Sequence, residues 1–143
     1  ESIVHSMVVY PDNAVIAQLG MPDMRLCIQY ALTYPKRLNS PTEEADFAKI
    51  ASLSFFAPDG ESFPLLPLAR KAAEAGGTTP AVMNGANEKA VELFLAGDIS
   101  FTDISELVIK VTTEHTTLKN PTIEQIEEAD KAARGRVLTL AGK

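Results

Sequence analysis

The sequence predicts an α+β chain: a partial β-sheet, made of a hairpin plus a short strand, followed by a C-terminal antiparallel helical bundle. Three observations carry that class. Residues 2–19 hold two apolar β-type runs on either side of Tyr10-Pro11-Asp12-Asn13. From Gly60 onward apolar residues recur at helical spacing. Short connections marked by Gly or Pro separate those repeats, and short connections favour antiparallel neighbours.

The hairpin strands are Ser2–Val9 and Ala14–Leu19. Pro11 pre-sets φ for the first central turn position, and Asn13 tolerates positive φ at the exit. Two strands alone are marginal in water, and both are apolar on both sides, so the hairpin needs further cover. Gly20-Met21-Pro22-Asp23 closes the second strand and opens a helix reaching Thr33, with Pro22 near its first position and Asp23 in its first turn. Its candidate core positions are Met24, Ile28, Ala31 and Leu32.

Residues 34–59 read as a crossing linker, broken by Pro35, Pro41 and Pro58-Asp59-Gly60 and carrying the solvated acidic run Thr42–Asp46. Only Leu53-Ser54-Phe55-Phe56 looks strand-like there, and it would extend the hairpin's sheet. Four helices follow. The first carries Leu65, Leu68, Ala69 and Ala72, with Pro64 at its start and Gly76-Gly77 as its stop. The second runs from Pro80 to Ala96, with Val82, Ala86, Ala90, Val91, Phe94 and Leu95 available to the core. The third carries Ile104, Leu107, Val108 and Val111 behind Thr102 as N-cap. Asn120-Pro121 introduces the fourth, where Thr122 and Gln125 have capping-box spacing, Ile123, Ile126, Ala133 and Val137 mark the inner face, and residues 128–130 are a candidate break.

Composition narrows the function. The chain has 143 residues, enough for one compact domain or a domain with a piece of another, and 45% apolar content with 22% charged supports a core. Thirteen Lys and Arg against nineteen Asp and Glu leave a net charge of −6, which argues against a nucleic-acid partner. Cys27 is the single cysteine, so no internal disulfide forms, and with His5 and His115 it makes too few soft ligands for an ordinary zinc site. No run reaches the ~20 apolar residues of a membrane-spanning helix. The chain opens at Glu1 on a β-type run with no signal-peptide pattern, which is the expectation for a cytoplasmic piece of something larger.

The chemistry-bearing residues read plainly. His5 lies inside an apolar strand, where a hydrogen-bonded core or interface role is commoner than catalysis. His115 sits at a helix end, where it caps or meets solvent. Cys27 reads as a buried, inert thiol, since no neighbouring base lowers its pKa. Gly76-Gly77 lacks the residues of a phosphate loop. Glu124, Glu127, Glu128 and Asp130 read as one solvated helix face. By spacing alone, Pro22 is a helix-start proline and Met24 a core filler.

Several stretches carry a more specific signal: Ser2–Val8, Ala17–Arg25 with its Gln-Leu-Gly-Met-Pro-Asp-Met-Arg core, Tyr34–Ser40, Asp46-Phe47, Phe56–Asp59, Asn84-Gly85-Ala86-Asn87-Glu88 and Phe101–Ile104. Together, and in this order, they resemble the 1-deoxy-D-xylulose 5-phosphate reductoisomerase family over essentially the whole chain, with Cys27 and Gly85 at variable-looking places inside the motifs. The resemblance implies the C-terminal part of an NADPH-dependent isomeroreductase of the non-mevalonate isoprenoid pathway. Such an enzyme rearranges 1-deoxy-D-xylulose 5-phosphate and reduces the resulting aldehyde to 2-C-methyl-D-erythritol 4-phosphate, with Mg2+ or Mn2+ as Lewis acid and template.

It also implies a division into 1–33 as the end of the central catalytic domain, 34–59 as linker and 60–143 as the C-terminal helical domain. The family's dinucleotide fold, metal-binding acids and phosphate-binding groups lie upstream of the matched part. The resemblance therefore places no catalytic and no metal-binding residue here, and no cofactor bound by this part alone. It does place Pro22 and Met24 beside the nicotinamide ring, as apolar contacts that exclude water. The implied partners are the N-terminal NADPH-binding and catalytic part of the same protein and a second copy in a bacterial cytoplasmic homodimer, the hairpin near the contact. The rival function class is a free-standing helical interaction module without catalysis.

Overall fold

A computed structural model describes residues 2–143 as two units dividing after Phe56. The first holds strands β1 (Val4–Val9) and β2 (Val15–Leu19) and helices α1 (Met24–Thr33) and α2 (Phe47–Ile50). The second holds α3 (Leu65–Ala75), α4 (Thr79–Leu95), α5 (Phe101–Glu114) and α6 (Ile123–Leu140). The expected α+β class is what the chain adopts.

β1 and β2 pair antiparallel, Val9 opposite Val15 and Met7 opposite Ala17. Asn13 takes φ 66°, its N–H donates to the Tyr10 carbonyl at 2.9 Å, and Tyr10 N–H closes the loop onto the Ala14 carbonyl at 2.9 Å. This is the three-residue hairpin whose last loop residue must tolerate a left-handed backbone. Toward the other end the register slips between Val4 and Ser6, which leaves His5 as the extra residue of a β-bulge.

The 53–56 stretch, expected as a third strand, carries no strand among the described residues. Phe55 and Phe56 are exposed there. The expected acidic coil before it ends in a cap instead. The Asp46 carboxylate accepts the N–H groups of Ala48 and Lys49 at 3.0 and 3.2 Å and starts the single turn of α2.

In the second unit successive helices run antiparallel. Ends that follow one another in the chain meet, as where Phe94 and Phe101 stack edge-on at 5.7 Å, and the start of α4 meets the end of α5 through Thr78 and His115. The core is Val82, Ala86, Ala90 and Leu93 of α4, Ile104, Val108 and Val111 of α5, and Ala133 and Val137 of α6. Alanines at 86, 90 and 133 let the axes approach. Leu95 and Ile123, expected inside, are 77% and 72% exposed, and Leu93 takes the inner place. The α4 positions 82, 86, 90 and 93 hold one face, and Leu95 lies two residues past it.

α5 is capped by Ser100 rather than Thr102. Ser100 and Asp103 form the capping box, each side chain accepting the other's backbone N–H. The Thr122–Gln125 box of α6 forms as the spacing predicts, and α6 runs unbroken through residues 128–130.

A polar clasp ties the helix ends together. Thr78 is 1% exposed; its Oγ1 lies 2.7 Å from His115 Nε2 and accepts the Leu118 N–H at 3.1 Å, while Thr78 N–H donates to the Leu118 carbonyl at 3.2 Å. Thr79 Oγ1 and Thr117 Oγ1 meet at 2.7 Å, and Lys119 Nζ donates to the Ala75 carbonyl at 2.8 Å. His115, expected to cap or meet solvent, stands at the C-cap position of α5 and bonds Thr78, 37 positions away in the same chain.

Gly77 makes the clasp possible. Its φ is +57°, and a Cβ would collide with the Leu118 carbonyl oxygen and sit 3.0 Å from Thr117 Cγ2. Gly97 has φ +79° but open space around it. Alanine at either position costs about 1–2 kcal/mol for the left-handed backbone. At 77 the collision adds a further ~1–3 kcal/mol. Urea denaturation of Gly77→Ala and Gly97→Ala should therefore show a clearly larger loss for the former; equal losses would mean that the turn does not need this close approach.

Candidate functional site

The bulge, the loop after β2 and the start of α1 converge on one concavity of about 340 Å³ lined by His5, Pro22, Asp23, Met24 and Cys27. Each element has a local cause. The bulge turns the strand at His5, whose Nε2 lies 3.0 Å from the Ser2 carbonyl. A carbonyl only accepts, so Nε2 is the donor of this bond. Gly20 is buried against the hairpin: its N–H donates to the carbonyl of buried Ile3 at 3.0 Å, and a Cβ would lie 3.1 Å from Leu26 Cδ2.

Asp23, not Pro22, begins the helix. With φ −137° it is the N-cap, and its Oδ1 accepts the Arg25 N–H at 2.9 Å. Pro22 therefore precedes the cap rather than occupying the first helical turn. The Arg25 guanidinium folds back onto the same carboxylate, with Nε at 3.0 Å from each oxygen and Nη2 at 2.5 Å from Oδ2. The Arg25 side-chain hydrogen bonds hold the Asp23 carboxyl below the usual carboxylate range.

The expected core face of α1 is turned outward. Met24, Ile28 and Leu32 are 71%, 53% and 82% exposed, and Ala31 is exposed as well. The half-buried side chains are Leu26, Gln29, Tyr30 and Thr33. Met24, Ile28 and Leu32 do form an apolar stripe at i, i+4, i+8, but nothing in this unit covers it. Cys27, expected buried, is exposed for the same reason and stands on the wall of the concavity. Pro22 and Met24 both line this concavity; His5 joins them through a register slip that strand alternation does not reveal.

α1 is also strapped from behind. Gln29 Nε2 donates to the Asn39 carbonyl and Thr33 Oγ1 to the Lys36 carbonyl, each at 2.9 Å, and the Arg37 guanidinium lies 3.9 Å over the Tyr30 ring. The Tyr34–Ser40 motif thus fixes the helix that carries the lip.

Arg134 pairs with Asp130 at 2.7 Å and Glu88 at 2.6 Å, and Asn84 Nδ2 donates to Glu88 at 3.1 Å. Asp130, expected on a solvated face, is half-buried above Gly85, where a Cβ would collide with its carboxylate. Gly85 inside its motif therefore lets α4 lie against Asp130 of α6 with no room for a side chain. Arg134 holds the Glu88 carboxyl low, and Arg136 does the same for Glu114. Among the described residues no group of three or more His, Cys, Asp or Glu side chains is placed to hold a metal ion. Among the described residues no helix is long and apolar enough to cross a membrane.

A hairpin–helix unit with an exposed apolar lip, in one chain with a four-helix bundle, defines the class: an α+β protein with a C-terminal helical domain. The chain belongs to the DXP reductoisomerase C-terminal domain family, which residues 19–136 match. The 1-deoxy-D-xylulose 5-phosphate reductoisomerase of Acetivibrio thermocellus is 54% identical over 134 residues, covering 94% of this chain and 35% of the relative. That of Sinorhizobium fredii is 51% identical over 143 residues, covering 99% and 36%.

Among solved structures, the Zymomonas mobilis 1-deoxy-D-xylulose 5-phosphate reductoisomerase in complex with NADPH superposes with a TM-score of 0.89 at 42% identity, over 99% of this chain and 38% of that one. A DOX-P reductoisomerase in complex with NADPH, fosmidomycin and magnesium gives 0.87 at 37% identity, over 99% and 37%. The chain spans little more than a third of the length of the relatives it matches.

The depressed Asp23 carboxyl fixes the direction of its pH dependence. A carboxyl whose folded value is lowered contributes stability above its unfolded value and loses it as pH falls through the folded one. Followed by carboxyl-carbon NMR, Asp23 should titrate below the ordinary value of about 3.9. Arg25→Ala should move the midpoint back up; an unchanged midpoint would mean that the ion pair does not form in solution.

Proposed function

We propose that this chain is the C-terminal part of a 1-deoxy-D-xylulose 5-phosphate reductoisomerase, converting that substrate to 2-C-methyl-D-erythritol 4-phosphate with NADPH and a divalent metal. The observation that carries the reading is 54% identity to such a reductoisomerase over 94% of the chain. The same likeness leaves the free-standing interaction module without support. On this reading residues 1–33 close the central catalytic domain, 34–59 are the linker, and 60–143 are the helical domain. The enzyme is a bacterial cytoplasmic homodimer, and the apolar hairpin, with Val8, Val9, Val15 and Ile16 exposed, lies near the contact between copies.

The residues present fit an apolar ring. Pro22 and Met24 form an exposed apolar lip at the mouth of the concavity, as a nicotinamide wall requires. Neither side chain transfers a proton or ligates a metal, so their work is to place the ring and keep water from it. The metal's ligands and the phosphate-binding groups belong to the part of the protein upstream of these residues. When bound, NADPH supplies the hydride and Mg2+ or Mn2+ polarises the substrate's oxygens. The scaffold's contribution is rigidity: the bulge, Gly20 and the Asp23 cap hold the lip from three sides.

Two measurements test the reading. In the full-length protein Met24→Ala should raise KM for NADPH or lower kcat about three- to tenfold, more than its effect on thermal stability explains. A purely structural Met24 would instead lower stability and leave the kinetics of the folded fraction unchanged. The isolated chain should show no saturable NADPH binding by calorimetry, because the groups that bind the phosphates are upstream; micromolar binding would overturn that assignment.

A further inference from the structure

The geometry points to Asp23 and Arg25 as a positioning clamp for the nicotinamide lip, one that acts on Met24 from both sides. This rests on the reading of Pro22 and Met24 given above. Met24 is 71% exposed, so its own packing does little to fix it, and a side chain with three rotatable bonds needs a fixed backbone to present one face to a ligand. Pro22 and Met24 flank Asp23 directly. The side-chain bridge from Asp23 to Arg25 spans Met24, closing a ring over it.

The bridge exceeds what capping the helix requires. An N-cap needs one oxygen, and Oδ1 supplies it to the Arg25 N–H at 2.9 Å. Oδ2 is engaged only by the guanidinium, through Nε at 3.0 Å and Nη2 at 2.5 Å. Residues two apart on a helix do not face one another. These two meet because Asp23 is extended, at φ −137° and ψ 117°, while Arg25 is already helical. The loop's other end is tied independently, by the Gly20 N–H on the Ile3 carbonyl at 3.0 Å. An exposed ion pair is worth little to stability, so such a clamp is visible in ligand binding rather than in melting.

The test uses the full-length protein, with the NADPH Kd from calorimetry, thermal stability, and kcat and KM. Arg25→Ala keeps the cap and removes the bridge. Asp23→Asn keeps an acceptor for the cap and removes the charge that holds the guanidinium. Each should weaken NADPH about three- to tenfold with little change in melting temperature, and the double variant should be no worse than either single one. Arg25→Lys should rescue poorly, since an ammonium cannot grip both oxygens in one plane.

The clamp is overturned if Arg25→Ala and Asp23→Asn leave NADPH binding unchanged while Met24→Ala weakens it, an outcome that spares the lip itself. Unchanged binding in all three variants overturns both. Loss in Arg25→Ala alone, with Asp23→Asn like the parent, would mark Arg25 as a direct cofactor contact. Losses that track melting temperature would reduce the pair to a helix cap. Either result also removes the clamp.

Discussion

Apolar surface has to leave water somewhere, and the first unit of this chain does not provide the place. Among described residues 2–56 only Ile3 and Gly20 are buried. The outward stripe of α1, the strand residues Val8, Val9, Val15 and Ile16, and Phe55 and Phe56 all stay exposed. Full burial of a large apolar side chain is worth about 1.5–3 kcal/mol, so this is far more exposed apolar surface than a small unit can carry unaided. The proposed place in a reductoisomerase about three times longer resolves the constraint. The sheet and helix would be pieces of a larger domain, and the exposed lip would be a site wall rather than a defect.

The second unit meets the same constraint alone. Val108 and Val137 are fully buried, three alanines bring the helix axes close, and capping boxes open α5 and α6. Its surface ion pairs add little individually. The positions with no substitute are the close approaches, Gly77 under the Leu118 carbonyl and Gly85 under Asp130. Gly77 places Thr78 where one buried hydroxyl joins the entrance of α4 to the exit of α5.

What the sequence disclosed follows the range of the interactions involved. Hairpin, caps and helix repeats are local, and so was the Thr122–Gln125 box. Ser100 and Thr102 are both good caps, and only the position of Asp103 decides for Ser100. The α1 stripe is legible as apolar, but nothing local says whether it is covered, and Met24, Ile28, Leu32 and Cys27 stay exposed in this unit. The role of His115 reaches across 37 positions to Thr78 and leaves no local pattern. The candidate site was half visible. Pro22 and Met24 came through a motif, whereas His5 arrives by a one-residue register slip and the Asp23–Arg25 bridge by an extended residue abutting a helix.

Amide hydrogen exchange on the chain by itself tests the division into a self-sufficient bundle and a dependent site-bearing unit most directly. Amides around Val82–Leu93, Ile104–Val111 and Ala133–Val137 should exchange only through global unfolding. Those of β1, β2 and α1 should exchange at least ~100-fold faster, and should slow when the upstream part of the proposed full-length reductoisomerase is supplied. Uniformly slow exchange across hairpin, α1 and bundle in the chain alone would contradict the division.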